Sequence, residues 1–301
     1  MRASELRGAL RRPSGYRGAI RQRVSLAPHT HIRVGGPAEF FLEPATEDGA
    51  ALVVKVTQEL ELPLYLLGGG SNLVVADEGV EGVVLSLHKL NRLVRDRNRV
   101  TAGAGIPLPL LIRSTKDIGL KGLEFLIGIP AHVGGAVAMN AGTHDAETFD
   151  RLVSLTLVNP DGDIEVWDRE KMHPEYRDGG LRDRVVLRAT WELEEDDPDQ
   201  IFQRLEASLK RRNATQPVTQ KCVGCVFTNP DGDSAGRLIE EAGCKLMRRG
   251  ALAVSARHAN YFVNEGGGTC QDFLELMAEV QKQVEDKFGV RLEPEVKVWG
   301  I

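Results

Sequence analysis

Residues 64–73 read Leu-Tyr-Leu-Leu-Gly-Gly-Gly-Ser-Asn-Leu, an apolar run that ends in three consecutive glycines. The apolar run predicts a buried β-strand, and glycines at its end let backbone N–H groups turn inward toward an anion. The loop over 68–72 matches neither the P-loop nor the spaced glycines of the dinucleotide-binding fingerprint. Taken alone, it fits a phosphate-binding turn and an ordinary tight turn about equally well.

A second glycine-rich stretch covers residues 128–142 and reads Gly-Ile-Pro-Ala-His-Val-Gly-Gly-Ala-Val-Ala-Met-Asn-Ala-Gly. Because small side chains bury little surface of their own, this stretch predicts close approach of the backbone to a large flat ligand. His132 is its one titratable side chain. A lone loop histidine is more often structural than a general base or a covalent flavin anchor.

Helix and strand patterns alternate on both sides of these stretches. The pattern predicts a helix over 46–60 and a hairpin turn at Asn159-Pro160-Asp161-Gly162. The acidic, proline-containing segment 194–198 resembles a linker. The sequence therefore predicts an α+β protein, with a nucleotide-type domain up to about residue 195 and a smaller αβ domain over 196–301.

The first 23 residues contain seven arginines against one acidic residue, Glu5. They lack the apolar core of a secretory signal. A transit peptide or an anion-binding arm fits this charge, but a frayed basic N-terminal extension over 1–23 is the expectation.

The composition of the 301-residue chain excludes several classes of protein. A net charge of −5 gives no general attraction to nucleic acid or to an anionic membrane, and no apolar run is long enough to span a bilayer. The four cysteines all lie beyond residue 220, too few and too clustered for a disulfide-stapled secreted fold. A protein of a reducing compartment is expected.

Two short patterns near the C-terminus could carry chemistry. Cys222-Val223-Gly224-Cys225 lacks the further ligands of a zinc site, and the apolar residues after it argue against a thioredoxin-like helix start. Cys225 remains as a thiol on a turn that could donate a proton. Glu293 and Glu295 share one face of an extended segment, which fits a solvated edge somewhat better than a site.

Taken in order, these stretches resemble the UDP-N-acetylenolpyruvoylglucosamine reductase family, in its compact type without the extra tyrosine-bearing loop. Each motif is weak alone, but their shared order over about residues 24–300 is specific. The motifs cover residues 30–38, 67–73, 102–105, 122–126, 128–142, 176–177, 216–217, 224–230, 238–243, 254–255, 258–264 and 292–296.

The resemblance implies a fold and a division of the chain. The expected architecture is an FAD-binding region of the vanillyl-alcohol-oxidase (PCMH) type over 24–195, with subdomains of about 24–87 and 88–195. A C-terminal αβ substrate-binding domain over 196–301 completes it.

The resemblance also implies a reaction in peptidoglycan precursor synthesis. NADPH supplies a hydride, non-covalently bound FAD carries it, and UDP-N-acetylglucosamine enolpyruvate is reduced to UDP-N-acetylmuramate. The implied partners are that substrate and NADPH, without nucleic acid, membrane or metal. A cytoplasmic monomer is expected.

Carried over by position, three residues would act in catalysis. Arg177 would offer a permanently charged fork to the substrate carboxylate. Glu295 makes sense beside the developing negative charge if it is protonated and donates a hydrogen bond. Cys225 stands where many members have the serine that protonates the intermediate, and a thiol is a stronger acid than a hydroxyl.

The remaining implied site residues fall into two groups. Those expected to bind FAD are Gly68, Gly69, Gly70, Ser71, Asn72, Gly103, Gly105, Gly128, Ile129, Pro130, His132, Gly134, Gly135, Ala136, Asn140 and Gly142. Those expected to bind substrate are Tyr176, Asn229, His258 and Asn264.

Several positions depart from the family pattern. Ala131 and Gly179 replace a common glycine and a common serine, Thr228 replaces a common lysine or glutamine, and a lysine common near Thr215 is absent. These departures leave room for a non-catalytic flavin or UDP-sugar binder. Two further alternatives stay open: an oxidase with FAD tethered to His132, and a Cys222–Cys225 redox pair.

Overall fold

The computed structural model describes residues 2–11 and 15–301, and Arg12 of the predicted extension lies outside them. The α-helices in these residues are α1 Arg2–Arg11, α2 Glu47–Glu59, α3 Leu108–Asp117, α4 Val133–Ala138, α5 Pro198–Thr215, α6 Ala235–Glu241 and α7 Cys270–Phe288. The strands are β1 Gly18–Ser25, β2 Pro37–Pro44, β3 Leu64–Leu67, β4 Leu73–Val75, β5 Val80–Ser86, β6 Leu93–Asp96, β7 Arg99–Gly103, β8 Leu120–Lys121, β9 Leu152–Val158, β10 Ile164–Asp168, β11 Val185–Glu192, β12 Glu194–Glu195, β13 Arg248–Arg249, β14 Leu252–Val254, β15 Phe262–Asn264 and β16 Lys297–Trp299.

Local sequence signals account for several of these boundaries. The Thr46 side chain accepts a hydrogen bond from the backbone N–H of Gly49 and caps α2. The predicted hairpin turn joins β9 and β10, with Gly162 at φ +85°. Thr269 and Asp272 form a capping box at the start of α7, and Gly289 ends that helix in the left-handed conformation.

The chain divides into two compact units. The first comprises residues 1–22, 39–69 and 82–209. It contains most of a four-stranded sheet of order β1-β2-β5-β3, in which β3 and β5 are parallel, and a five-stranded antiparallel sheet of order β10-β9-β11-β7-β6. Its core is aliphatic, with Trp191 as its largest buried side chain.

The second unit comprises residues 23–38, 70–81 and 210–301. It contains the small antiparallel sheet β13-β14-β15 and a parallel pair of β4 with β16. Phe227, Phe262 and Phe273 are fully buried in its core, packed against α6 and α7. The segments 23–38 and 70–81 thus belong to a unit otherwise built from the C-terminal third, so the units divide the chain differently from the predicted boundary at residue 195.

The N-terminal segment differs from the expected frayed extension. Leu6 and Leu10 of α1 are both fully buried in the first unit's core, and β1 is an edge strand of the four-stranded sheet. Spacing of four residues places both leucines on one helix face, while Arg7, between them, is exposed. The expectation of a frayed extension rested on the arginines and did not take this apolar pair into account.

Strand pairing is sparse in two segments of the second unit. Around Val226 and over 291–299, pairing is limited to an isolated bridge between Phe227 and Pro294 and to β16. Pro294 has no N–H to donate, so a continuous ladder cannot form through it. Among the described residues, no helix has the length and apolarity required to cross a bilayer.

Candidate active site

The two glycine-rich stretches meet backbone to backbone in the first unit. A Cβ added at Gly69 would lie 3.0 Å from the Pro130 carbonyl oxygen and 3.2 Å from the His132 nitrogen. One added at Gly134 would lie 2.9 Å from the Ala104 Cβ. A side chain at Gly69 would therefore push the two stretches apart, and one at Gly134 would crowd Ala104.

A mostly apolar cavity opens beside this contact. Gly68, Gly134, Gly135, His88, His132 and Arg184 contribute to its wall, together with aliphatic residues of β3, β5 and β11. No atom lies within 4 Å of a Cβ added at Gly135, so this glycine faces open space. Aliphatic walls for a ring system, with basic side chains for a pyrophosphate, fit FAD.

Other predicted FAD-binding residues have packing reasons of their own. A Cβ at Gly103 or Gly105 would overlap the carbonyl oxygen of Leu90 or Leu87, respectively. Gly128 has φ +87°, and Gly142 bridges to Glu147. Ala136 is buried, and Ile129 packs against the first unit's core. Contacts of these residues with FAD stay a prediction.

In the second unit, the structure brings the predicted proton donor and acid together. The N–H of Glu295 donates to the carbonyl oxygen of Val226 at 2.8 Å, directly after Cys225 in the chain. The N–H of Thr228 donates to the Glu293 carbonyl oxygen at 2.9 Å. Cys225 and Glu295 are both partly exposed, which leaves their side chains accessible to a ligand.

The end of the first glycine loop supports this pair. The Ser71 carbonyl oxygen accepts from the Gly224 N–H at 3.1 Å, and the Asn72 side-chain amide donates to the Glu295 carbonyl oxygen at 3.1 Å. The Asn72 Oδ1 atom is buried with no hydrogen-bond partner in the described part of the chain. Gly70 has φ +67° and its Cβ would overlap the His29 carbonyl oxygen, so only glycine fits there.

Sequence reasoning missed two residues near Cys225. Tyr261 is 8% exposed, and burial raises the pKa of its hydroxyl, which stays protonated. Burial lowers the pKa of Arg212, opposed by its attraction to Tyr261 and Cys225. The Arg212 Nε atom is buried without a partner within residues 2–11 and 15–301. Arg212 ends a long polar helix, so nothing in the sequence distinguished it from solvated arginines.

Cys222 is held as a neutral thiol. Burial raises the pKa of Cys222 to about 11, and its Sγ lies 3.8 Å from the Pro217 carbonyl oxygen, within reach of a weak hydrogen bond. A thiol that ionises so weakly is a poor partner for thiol–disulfide exchange.

The predicted substrate-binding residues of the second unit make contacts within that unit, mostly hydrogen bonds to backbone groups. Asn229 accepts from the Ala235 N–H at 3.0 Å, and His258 packs edge-on against Tyr261 at 4.8 Å between ring centroids. The Asn264 amide donates to the Ile32 carbonyl oxygen and accepts from the N–H groups of Gly266 and Gly268. A direct contact of these side chains with substrate stays a prediction.

Tyr176 and Arg177 form the tip of a tight turn in the first unit. Arg177 has φ +60°, and its guanidinium lies over the Tyr176 ring, 4.6 Å from the centroid. Tyr176 is 53% exposed. The turn thus presents a cation and an aromatic ring at the surface of its unit.

Comparisons with known proteins identify the family of this chain. A family model described as the UDP-N-acetylenolpyruvoylglucosamine reductase C-terminal domain matches residues 216–299, and one described as an FAD binding domain matches residues 38–167. UDP-N-acetylenolpyruvoylglucosamine reductase 2 of Symbiobacterium thermophilum is 41% identical, covering 99% of this chain and 96% of that protein. The reductase of Geobacter sulfurreducens is 40% identical, covering 97% and 98%.

Solved structures extend the comparison to the fold. UDP-N-acetylenolpyruvylglucosamine reductase from Thermus caldophilus aligns with a TM-score of 0.81 and 36% identity, over 95% of this chain and all of that one. The H104A variant of berberine bridge enzyme aligns with a TM-score of 0.53 and 13% identity, over 65% of this chain and 44% of that one. The second match concerns the fold alone and agrees with the expected FAD-binding architecture. With Cys225 and Glu295 in adjacent segments and an FAD-compatible cavity beside the glycine loops, this chain belongs to the UDP-N-acetylenolpyruvoylglucosamine reductase family of FAD-containing oxidoreductases.

Proposed function

We propose that this chain reduces UDP-N-acetylglucosamine enolpyruvate to UDP-N-acetylmuramate, with NADPH as the hydride donor and Cys225 as the proton donor. The observation that carries the proposal is the 2.8 Å hydrogen bond from Glu295 to Val226, which joins the segments of Cys225 and Glu295. Reduction adds a hydride to the methylene carbon and leaves negative charge on the neighbouring carbon and its carboxylate. That charge has to be stabilised and then protonated.

Cys225 is the residue we assign to the protonation. Its thiol gives the Sγ–H proton to the carbon next to the new methyl group, which leaves a thiolate. The positive charge of Arg212 attracts that thiolate, because the two groups interact electrostatically in a partly buried setting. Glu295, protonated, would donate a hydrogen bond to the substrate carboxylate as negative charge develops there.

Arg177 is the residue we assign to substrate recognition. Its guanidinium is permanently charged and can form two parallel hydrogen bonds with a carboxylate. The contact with the Tyr176 ring at 4.6 Å restrains the side chain. Tyr176 itself is exposed and would contact the same ligand.

The cofactor region is assigned to the first unit's cavity. Gly68, Gly134, Gly135 and His132 would hold FAD there, with room for it at Gly135. FAD bound there would supply the hydride-transfer chemistry between NADPH and the substrate. The protein's own contribution is to keep side chains out of the contact between the two glycine-rich stretches. It also provides basic groups in the wall of the cavity.

We further propose that the chain works as a monomer in the cytoplasm, where UDP-linked precursors are made. Light scattering of the purified protein tests the first point, and cell fractionation tests the second. A stable dimer, or recovery outside the cytoplasmic fraction, would contradict these assignments.

An anaerobic visible spectrum of the purified, FAD-loaded protein tests the overall reaction. NADPH should bleach the flavin absorbance, and UDP-N-acetylglucosamine enolpyruvate should then restore it. UDP-N-acetylglucosamine, which lacks the enolpyruvyl group, should not. Bleaching that the enolpyruvyl substrate cannot reverse would exclude the proposed substrate.

A further inference from the structure

We propose that Asn140 is a positioning residue for Arg177: its side-chain amide holds the turn that presents the guanidinium to the substrate's carboxylate. This inference rests on the proposed function, since it takes Arg177 to be the group that recognises that carboxylate. The contact of Asn140 with FAD expected from sequence stays a prediction beside this role.

The Arg177 turn depends on support from its surroundings. Glu175 and Asp178 exchange both backbone hydrogen bonds, at 2.8 and 3.1 Å, so only Tyr176 and Arg177 form the tip. Arg177 occupies the left-handed region at φ +60°. That conformation is unfavourable for a residue with a Cβ, and it persists where neighbouring groups hold it.

Asn140 provides one of those supports. It is 1% exposed, and its Nδ2 donates to the Glu175 carbonyl oxygen at 3.1 Å and to the Glu147 Oε2 at 2.8 Å. Both amide hydrogens are therefore used, one on the base of the Arg177 turn and one on the loop that follows α4. The bond to a carboxylate fixes the amide orientation, because a flipped amide would face Glu147 with its oxygen.

A second support reaches the other side of the turn. The N–H of Gly179 donates to the Ala138 carbonyl oxygen at 3.0 Å, and a Cβ at Gly179 would overlap the Val137 carbonyl oxygen. Both strands of the turn are thus tied to the end of α4 and the residues just after it. The same helix carries Gly134 and Gly135 of the proposed FAD site. These bonds therefore fix the position of the turn relative to the cofactor region.

The remaining polar atom of Asn140 is its Oδ1, which is buried with no partner among residues 2–11 and 15–301. Within the described residues, the amide therefore acts through its two donated hydrogen bonds, to Glu147 and to the Glu175 carbonyl oxygen.

The test compares the affinities of two ligands, one with and one without a carboxylate. A general loss of stability would weaken both and would not change their ratio. UDP-N-acetylmuramate carries a carboxylate that UDP-N-acetylglucosamine lacks. Isothermal titration of the FAD-loaded protein with each ligand measures how much affinity the carboxylate adds. In Asn140→Ala we expect that preference to fall about tenfold or more, a size typical of one charged hydrogen-bond pair. Affinity for UDP-N-acetylglucosamine should change less than about twofold.

Two control variants distinguish a role of Asn140 in holding the Arg177 turn from a role in holding the loop that contains Glu147. The double variant N140D/E147Q restores a hydrogen bond between positions 140 and 147 in the reverse direction, but leaves the Glu175 carbonyl oxygen without its donor. It should retain FAD and still lose the carboxylate preference. Thr143→Ala removes a bond within the same loop, to the Asp145 N–H at 3.2 Å, and should keep the preference.

The outcomes distinguish this inference from the proposed function. If Arg177→Ala abolishes the carboxylate preference while Asn140→Ala and the double variant keep it, the role of Asn140 is wrong and that of Arg177 stands. If Arg177→Ala itself keeps the preference, the proposed recognition of the carboxylate fails. A double variant that regains wild-type preference would show that Asn140 acts only through its loop.

Discussion

The N–H of Glu295 donates to the carbonyl oxygen of Val226 at 2.8 Å, and the N–H of Val296 donates to the same oxygen at 3.3 Å. Cys225 precedes that carbonyl group by one residue, so the acid and the thiol are fixed through backbone contacts. Both hydrogen bonds are made by backbone atoms, so neither involves the Cys225 thiol or the Glu295 carboxyl group. Asn72 adds a third backbone contact through its hydrogen bond to the Glu295 carbonyl oxygen.

Oxidation of Cys225 should inactivate the enzyme. Peroxide converts an accessible thiol to a sulfenic acid, which can no longer donate the proton. Cys225→Ser should therefore keep measurable turnover and lose the sensitivity of the wild type to peroxide, measured as residual activity after treatment. Cys222→Ser is the matched control and should remain as sensitive as the wild type. Sensitivity that persists in Cys225→Ser would implicate another thiol.

His258 should make the fold less stable at mildly acidic pH. Burial lowers the pKa of His258, and its Nδ1 accepts from the Asn260 N–H at 3.3 Å. The unfolded chain takes up a proton near pH 6.5, whereas the folded chain resists protonation, so stability falls as the pH drops below about 6.5. His258→Gln should reduce the loss of melting temperature between about pH 7 and pH 5. The exposed His173→Gln should leave that loss as it is, and equal slopes in all three proteins would contradict the prediction.

Restoring the family's common serine at position 179 should be harmful in this chain. The new Cβ would overlap the Val137 carbonyl oxygen. We expect Gly179→Ser to lower the free energy of unfolding by about 1–3 kcal/mol, as overpacking does. Gly8→Ala is the control, since nothing lies within 4 Å of a Cβ there and alanine favours a helix. Equal stability of Gly179→Ser and the wild type by urea unfolding would mean that the turn readjusts.

The N-terminal helix should contribute to stability. Leu6 is fully buried in the first unit's core, so Leu6→Ala should cost about 2–5 kcal/mol in urea unfolding. The exposed neighbour Glu5→Ala should change it by less than about 0.5 kcal/mol. If both substitutions have the same small effect, α1 does not pack as the structure shows.

Features that depend on local signals were predictable from the sequence. The helix capped by Thr46, the hairpin turn at 159–162 and the long helix α7 occur where capping and turn residues indicate them. Cys225 and Glu295 were found because their motifs resemble those of a family. Spacing alone favoured a solvated edge for Glu295.

Features that depend on distant contacts were not predictable. Asn72 and Glu295 are 223 residues apart, and nothing in the sequence around either residue indicates the hydrogen bond between them. Arg212 resembles any arginine of a polar helix until folding buries it near Tyr261. Asn140 was assigned to the cofactor by resemblance to the family, and its bonds to Glu147 and Glu175 depend on tertiary structure, so no local pattern indicates them.

The two half-reactions of Cys225→Ala test the central claim most directly. The protein is reduced anaerobically with NADPH and then mixed with UDP-N-acetylglucosamine enolpyruvate, and the flavin absorbance is followed in both steps. Reduction by NADPH should proceed as in the wild type, because Cys225 takes no part in it. Reoxidation by the enolpyruvyl substrate should be lost, since the proton donor is missing. Reoxidation at the wild-type rate, or loss of both steps, would contradict the role assigned to Cys225.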